Sequence, residues 1–116
     1  VGIRASRNLE GDYTPSKKEI VQGEFSDTVA RPYRGKSLAV PYRSLLPKAV
    51  DNLLVVGRCI SADDEIMGRL RLIPVCSATG EAAGVAAAMA VAQGASAQAV
   101  DVGQLQARLT EQGVEL

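Results

Sequence analysis

The chain has 116 residues, and its 13 basic and 13 acidic side chains give a formal net charge of zero. A neutral chain with 3% aromatic residues and no Trp gives no reason to expect nucleic-acid binding, base stacking or attraction to an anionic membrane. Cys59 and Cys76 form no Cys-x-x-Cys pair, so the sequence predicts no metal site and no dithiol motif, but two thiols of a reducing cytoplasm.

Residues 1–51 predict short strands and connecting loops. The expected elements are a strand, a short helix opened by an N-cap and a first-turn proline, and two further strands, at residues 1–8, 14–23, 25–29 and 36–40. Tyr42 and Arg43 then lie in a turn confined between Pro41 and Pro47. This pair is interpreted either as a structural turn or as a lining of a substrate site.

Residues 52–94 are the most informative part of the chain. Residues 53–56 are continuously apolar and are bounded by Asn52 and Gly57, which predicts a buried parallel strand. Gly57 allows the chain to turn, or allows a ligand to approach the backbone closely. The sequence therefore places a strand exit beside a candidate ligand contact.

A small-residue helix follows, with Pro74 at its expected first position. Small residues recur every four positions on one face, namely Gly80, Gly84, Ala88 and Ala92. Glycine inside a helix costs roughly 1 kcal/mol relative to alanine, so this face is expected to pack tightly against a sheet. The apolar run of residues 82–92 is shorter than the roughly 20 residues that span a membrane, which predicts a buried helix and no membrane contact.

The start of this helix is a candidate anion-binding site. A proline-started helix leaves the amides of residues 75–77 unpaired at the positive end of the helix dipole. Arg58 follows the predicted strand, where a cofactor phosphate or a loop carboxylate would accept its guanidinium. Arg71 precedes the helix and is a candidate for steering an anionic group. Its alternative is an ion pair with one of three nearby acids, Asp63, Asp64 or Glu65.

Four sequence blocks lie in order along nearly the whole chain. They are Gly-Ile-Arg-Ala-Ser-Arg at 2–7, Val-Pro-Tyr-Arg-Ser-Leu-Leu-Pro at 40–47, Asp-Asn-Leu-Leu-Val-Val-Gly-Arg-Cys-Ile-Ser at 51–61, and Arg-Leu-Ile-Pro-Val-Cys-Ser-Ala-Thr-Gly-Glu-Ala-Ala-Gly at 71–84. Together these blocks closely resemble the C-terminal part of FAD-dependent oxidoreductases of the glutathione-reductase-like superfamily. The resemblance implies an α/β fold, as the C-terminal portion of a Rossmann-like FAD-binding domain.

The resemblance also implies FAD as the cofactor, a small-molecule substrate and oxidoreductase activity. Residues 53–57 would return to the core sheet near the ribityl and pyrophosphate groups, and the helix start would face the pyrimidine edge of the isoalloxazine. Amides at that edge stabilise the negative charge of a reduced flavin. The implied catalytic residue is Arg71. The implied cofactor-binding residues are Gly57, Arg58, Ile73, Pro74, Val75 and Cys76.

The chain is expected to be one C-terminal segment with three parts. These are strands and loops at 1–51, an FAD-contacting unit at 52–94, and a C-terminal docking helix at 95–116. The last helix is expected to start at Asp101 or Val102, and Leu105 and Leu109, one turn apart, are expected to dock it on the core. No Gly-x-Gly-x-x-Gly turn occurs in the sequence, which predicts a piece of a longer enzyme, produced by proteolysis, separate expression or a split gene. Such a segment is expected to be inactive without its partner, the remainder of the FAD-binding domain, and a homo-oligomer is left open.

Other readings of the sequence stay open at this point. A non-catalytic interaction module would use the same small-residue helix face, although it gives no reason for the two arginines or for the proline-started helix. A module that binds a nucleotide other than FAD would require a phosphate loop, which the sequence lacks. The resemblance departs at Asp63 and Asp64, where the family often carries a Thr-His pair. The chain contains no histidine, so an imidazole acid, base or flavin linkage from this segment is excluded, and the substrate class does not follow from the resemblance.

Overall fold

The computed structural model describes residues 9–22, 25–33, 38–63, 66 and 70–116. Its helices and strands are α1 (Lys17–Gln22), β1 (Thr28–Ala30), β2 (Val40–Pro41), α2 (Ile73–Gln93) and α3 (Val102–Glu111). Short 3-10 turns lie at Tyr42–Leu45, Gly57–Cys59 and Ala97–Ala99. The strand expected at residues 1–8 lies outside the described residues.

The two short strands form an antiparallel pair. Thr28 lies opposite Pro41 and Ala30 opposite Val40, with an irregularity in register between the two pairs. Both strands lie within a few residues of their predicted positions, and every residue of both is buried. Together with the helices, the pair makes a mixed α/β arrangement.

A capping box fixes the start of α1. The Ser16 hydroxyl accepts the Glu19 N–H at 3.3 Å, and the Glu19 carboxylate accepts the Ser16 N–H at 3.1 Å. The predicted helix start at Thr14 and Pro15 is therefore two residues too early. The Thr14 hydroxyl instead lies 2.8 Å from the buried Ser61 hydroxyl, so it links two loops.

The core forms where α2 and α3 pack over the strand pair. Helix α2 buries one face, made of Val75, Thr79, Ala82, Ala86, Met89 and Ala90. Leu105 and Leu109 are buried on α3, which confirms the prediction that they dock the last helix. Asp101 caps this helix, because its carboxylate accepts the Gln104 N–H at 3.2 Å.

Residues 53–56 are not a strand, which corrects the prediction of a buried parallel strand. Leu53 is 46% exposed, and Leu54 to Val56 are only partly buried. A strand needs a ladder of hydrogen bonds to a neighbour. In the part of the chain that the structure describes, this segment shows one such bond, from the Val55 N–H to the Leu45 oxygen at 2.9 Å.

Asn52 anchors the beginning of that segment. Its backbone adopts a left-handed conformation with φ of 55°, which Asn tolerates better than most residues. Its side-chain oxygen accepts the Ala97 N–H at 3.1 Å, and its own N–H donates to Gln98 Oε1 at 2.8 Å. These bonds hold the segment against the loop that follows α2.

Tyr42 and Arg43 have structural partners. The Tyr42 hydroxyl donates to the Ala97 oxygen at 2.7 Å, and burial raises the pKa of this phenol to about 12. Arg43 makes a bidentate pair with Asp27, at 2.9 and 3.2 Å, and its guanidinium lies 4.2 Å from the centroid of the Tyr13 ring. These contacts support the structural-turn interpretation of the pair.

Helix α2 has 21 residues and, by length and composition, is apolar enough to cross a membrane. The apolar run of residues 82–92 is shorter than a membrane span, but the helix that contains it is not. Length and composition are weak evidence for a membrane span, because core helices of globular proteins share them. In addition, 39% of the apolar stretch of this helix is buried inside the chain. Glu81 also lies within the helix, where a charged side chain is costly in lipid.

Gly11 and Gly80 provide a paired test of the packing. A Cβ at Gly11 would lie 2.7 Å from the Ser61 Cβ and 3.0 Å from the Leu46 oxygen, whereas a Cβ at Gly80 would meet nothing within 4 Å. We expect Gly11→Ala to destabilise the chain by about 1–3 kcal/mol through overpacking. Gly80→Ala should stabilise it by about 0.5–1 kcal/mol, because alanine is the better helix former. Urea unfolding followed by circular dichroism measures both, and equal midpoints for the two variants would contradict the packing described here.

Candidate functional site

The Gly57–Cys59 turn lies against the first turns of α2. Gly57 has a φ of +74°, a left-handed conformation that favours glycine. Its N–H donates to the Thr79 hydroxyl at 3.3 Å, and a Cβ built on Gly57 would lie 3.9 Å from the Cys76 sulfur. The structure thus brings together the two segments that the sequence singled out, the turn after residues 53–56 and the start of α2.

Thr79 is a site residue that the sequence did not reveal. Its side chain is fully buried, and its hydroxyl lies 2.9 Å from the Val75 oxygen and 3.2 Å from the Cys76 oxygen. The same hydroxyl accepts the Gly57 N–H, so it connects the turn to the helix. The sequence feature that could have pointed to Thr79 is its hydroxyl, one turn after Val75 on a helix face that is otherwise apolar.

Helix α2 begins one residue earlier than predicted. Leu72 is the N-cap, Ile73 is the first helical residue and Pro74 is the second. The Cys76 N–H consequently donates to the Leu72 oxygen at 3.0 Å and is not free. Of the amides predicted to be free, those of residues 75–77, only Val75 remains a candidate, because Ser77 is the fifth helical residue and lies beyond the N–H groups that lack a partner in the helix.

The predicted cofactor-binding residues differ in exposure. Ile73 is 81% exposed, and Pro74 and Arg58 are also exposed. Val75 is fully buried in the core, so its side chain cannot contact a ligand, whereas Cys76 is partly buried beside Gly57. The side chains of Ile73 and Pro74 and the backbone of the Gly57 turn therefore form the accessible part of the site.

Arg71 lies directly before the helix and is partly buried. Its backbone oxygen accepts a hydrogen bond from the Cys76 thiol at 3.6 Å. Among the described residues the Arg71 guanidinium makes no salt bridge, so the predicted alternative of a pair with Asp63 is not formed. The other two acids of that alternative, Asp64 and Glu65, lie outside the described residues.

The small-residue face of α2 is open within this chain, which corrects the expectation of tight packing. A Cβ at Gly80 or Gly84 would meet nothing within 4 Å, and Ala88 and Ala92 are exposed. The helix buries a different face, which includes Val75, Ala82 and Met89, so this small-residue face remains outside. The description of α2 as a buried helix is therefore correct for one face only.

An apolar groove of about 430 Å³ borders this open face at Gly84. One wall is the segment of residues 52–54, and the other is α2 around Gly84 and Val91, of which Val91 is 85% exposed. Exposed apolar surface of this kind is typical of an interface with another polypeptide segment. No group of three or more metal-ligating side chains occurs in the described part of the chain.

Comparison with known protein families matches residues 31–109 to the family described as FAD dependent oxidoreductase. The match covers well over half of the chain and includes both segments of the site. The chain belongs to the FAD dependent oxidoreductase family. Searches of curated proteins and of solved structures gave no significant match.

Membership in this family makes FAD the cofactor and oxidoreduction the associated chemistry. The Gly57 turn is compatible with a large anionic cofactor, because this left-handed glycine has no side chain and lies near the positive end of a helix, while its own N–H is bonded to Thr79. The exposed Arg58 in the same turn supplies positive charge. The family match includes every predicted site residue, but it assigns no role to any of them.

Proposed function

We propose that this chain is the C-terminal, FAD-contacting part of a flavin-dependent oxidoreductase of the glutathione-reductase-like superfamily, within a Rossmann-like domain. The observation that carries the proposal is the junction between the Gly57 turn and the start of α2, made through Thr79. The residues at this junction are those that the resemblance assigns to the cofactor. The family match supports the choice of FAD as the ligand.

In this proposal the backbone at Gly57 and the guanidinium of Arg58 hold the polar part of FAD. Residues 73–76 contact the isoalloxazine, with the Ile73 and Pro74 side chains providing apolar surface. Bound FAD supplies the capacity to accept and release a hydride. The positive end of the α2 dipole stabilises the negative charge that develops on reduction, and Arg71 holds negative charge on the substrate or the flavin.

The open groove supplies the partner surface in this proposal. Its occupant is the remainder of the FAD-binding domain, from the same or a separate chain, packed on Gly84 and on residues 52–54. Helix faces without side chains allow backbones to approach closely, and residues 53–56 offer backbone groups to a neighbouring strand. Activity would then require both parts. The two free thiols, Cys59 and Cys76, support a location in the cytoplasm.

The alternative function is a non-catalytic interaction module. The open apolar face of α2 favours it equally, because any packing partner would bury Gly84 and Val91. The two functions differ at the Gly57 turn. Only the flavin proposal requires a ligand at the turn and at the start of α2.

Hydrogen–deuterium exchange on the flavoprotein that contains this chain tests the proposed contact. We expect added FAD to slow exchange of the amides of residues 57–61 and 71–77 several-fold, because a bound ligand excludes water and restricts local opening. The α3 helix, at Val102–Glu111, is the internal control and should exchange at the same rate with and without FAD. Protection confined to other parts of the protein would contradict the proposal and leave the interaction module.

The Gly84→Leu variant tests the proposed partner surface. In the isolated chain a side chain at this position points into open space, so its unfolding midpoint should not fall. In the whole flavoprotein the same leucine should overpack the contact by roughly 1–3 kcal/mol, lower the melting temperature and reduce flavin content. Ala107 is an exposed residue of α3, so Ala107→Leu is the control and should leave the melting temperature and the flavin content unchanged. A wild-type melting temperature and flavin content for Gly84→Leu would show that the groove stays open.

Arg71 variants test the proposed catalytic role in the complete flavoprotein. We expect Arg71→Ala to lower the rate of flavin reduction at least tenfold with little change in melting temperature, because a charge at the reacting centre stabilises the transition state more than the fold. Arg71→Lys keeps the charge but loses the planar guanidinium, so it should recover part of the rate. Stopped-flow bleaching of the flavin and thermal denaturation measure the two effects. An unchanged rate combined with an earlier melting transition would make Arg71 a structural residue.

A further inference from the structure

We infer that Thr79 is a positioning residue for the flavin site: its buried hydroxyl fixes the Gly57 turn against the first turns of α2. The inference rests on the proposed function, because the turn and the helix start are the two contacts that FAD would bridge. It adds a residue that neither the sequence motifs nor the family match single out. Thr79 itself contacts no cofactor in this proposal.

The first argument is the geometry of the hydroxyl. Its proton is donated to the helix, where the Val75 oxygen lies at 2.9 Å and the Cys76 oxygen at 3.2 Å. This leaves a lone pair directed away from the helix axis, and that lone pair accepts the Gly57 N–H at 3.3 Å. The hydroxyl is thus oriented by the helix before it receives the turn.

The second argument is that Gly57 depends on this acceptor. A φ of +74° turns the Gly57 amide toward α2, and the partly buried N–H has no other acceptor among the described residues. An amide of this kind is costly to leave unpaired. Removing the hydroxyl would therefore free the turn to rotate, and Arg58, the next residue, would move with it.

The third argument separates Thr79 from an ordinary helix threonine. Threonine hydroxyls often bond back to the carbonyl four residues earlier without any further effect. Thr110 on α3 does this, with its hydroxyl donating to the Gln106 oxygen at 2.9 Å on an exposed surface. Thr79 makes the same bond but is fully buried and receives a second chain segment. Thr110 is therefore a matched control.

The test uses the complete flavoprotein with three variants, Thr79→Val, Thr79→Ser and Thr110→Val. Valine has nearly the shape of threonine, so Thr79→Val should fold, with a melting temperature lowered only by the loss of the hydrogen bond to Gly57. We expect it to raise the dissociation constant for FAD about tenfold, to shift the visible absorption bands of bound flavin and to speed exchange of the Gly57 amide. Thr79→Ser keeps the hydroxyl and should restore affinity and spectrum, and Thr110→Val should match wild type throughout.

The outcomes distinguish this inference from the proposed function. If FAD protects residues 57–61 in the wild type, but Thr79→Val keeps wild-type affinity and spectrum, Thr79 is structural only and the inference alone fails. A general loss of stability that Thr79→Ser does not rescue would also overturn it. If FAD gives no protection at this turn in the wild type, the proposed function fails and the inference fails with it.

Discussion

The packing of α2 sets the relative positions of β1, the Gly57–Cys59 turn, the Ala97–Ala99 turn and α3. Its inner face, from Val75 to Ala90, is buried against the strand pair, the Gly57 turn and α3. Burial of apolar surface is the dominant favourable term in folding, and small residues such as Ala82 and Ala86 let neighbouring elements approach the helix closely. Because one helix carries both the core contacts and the candidate site, its register fixes where the site lies.

The same helix also explains why the chain has an open face. Small residues at Gly80 and Gly84 contribute little burial within the chain and reduce helix propensity. Without a partner such residues destabilise the helix. A partner packed on the apolar groove beside Leu53 would offset that loss. Asn52 keeps this groove in shape, since its bonds to Ala97 and Gln98 hold the wall of residues 52–54 in place.

Local signals in the sequence predicted local structure well. The α2 helix, the strand near residue 28 and the α3 helix with its Asp101 cap and buried Leu105 all occur close to their predicted positions. The start of α2 was displaced by one residue, because Pro74 fits the second helical position as well as the first. Residues 53–56 failed as a strand because strand formation depends on a pairing neighbour, and the sequence of one segment does not specify whether that neighbour is present.

For the candidate site too, local motifs were predicted and contacts between distant segments were not. Sequence motifs identified Gly57 and the residues around Pro74, and the structure brings these segments together. They did not identify Thr79, because its role depends on a contact 22 positions away in the chain that spacing cannot reveal. They also overestimated the free amides, since the bond from the Cys76 N–H to the Leu72 oxygen depends on where the helix begins.

The helix start carries a guanidinium, a helix dipole and one thiol, that of Cys76, which donates a hydrogen bond to the Arg71 oxygen. Ile73, Pro74 and Val75 have no ionisable side chains, and the Arg71 guanidinium is a hydrogen-bond donor with no acceptor atom. The chain also contains no histidine. In the proposed function these residues stabilise negative charge on a reduced flavin, and we expect the acid or base for the substrate to be either the Cys76 thiol or a group on another part of the enzyme. This agrees with the proposal that the chain tunes the cofactor, and that the remainder of the enzyme, packed on the partner surface, completes the substrate site.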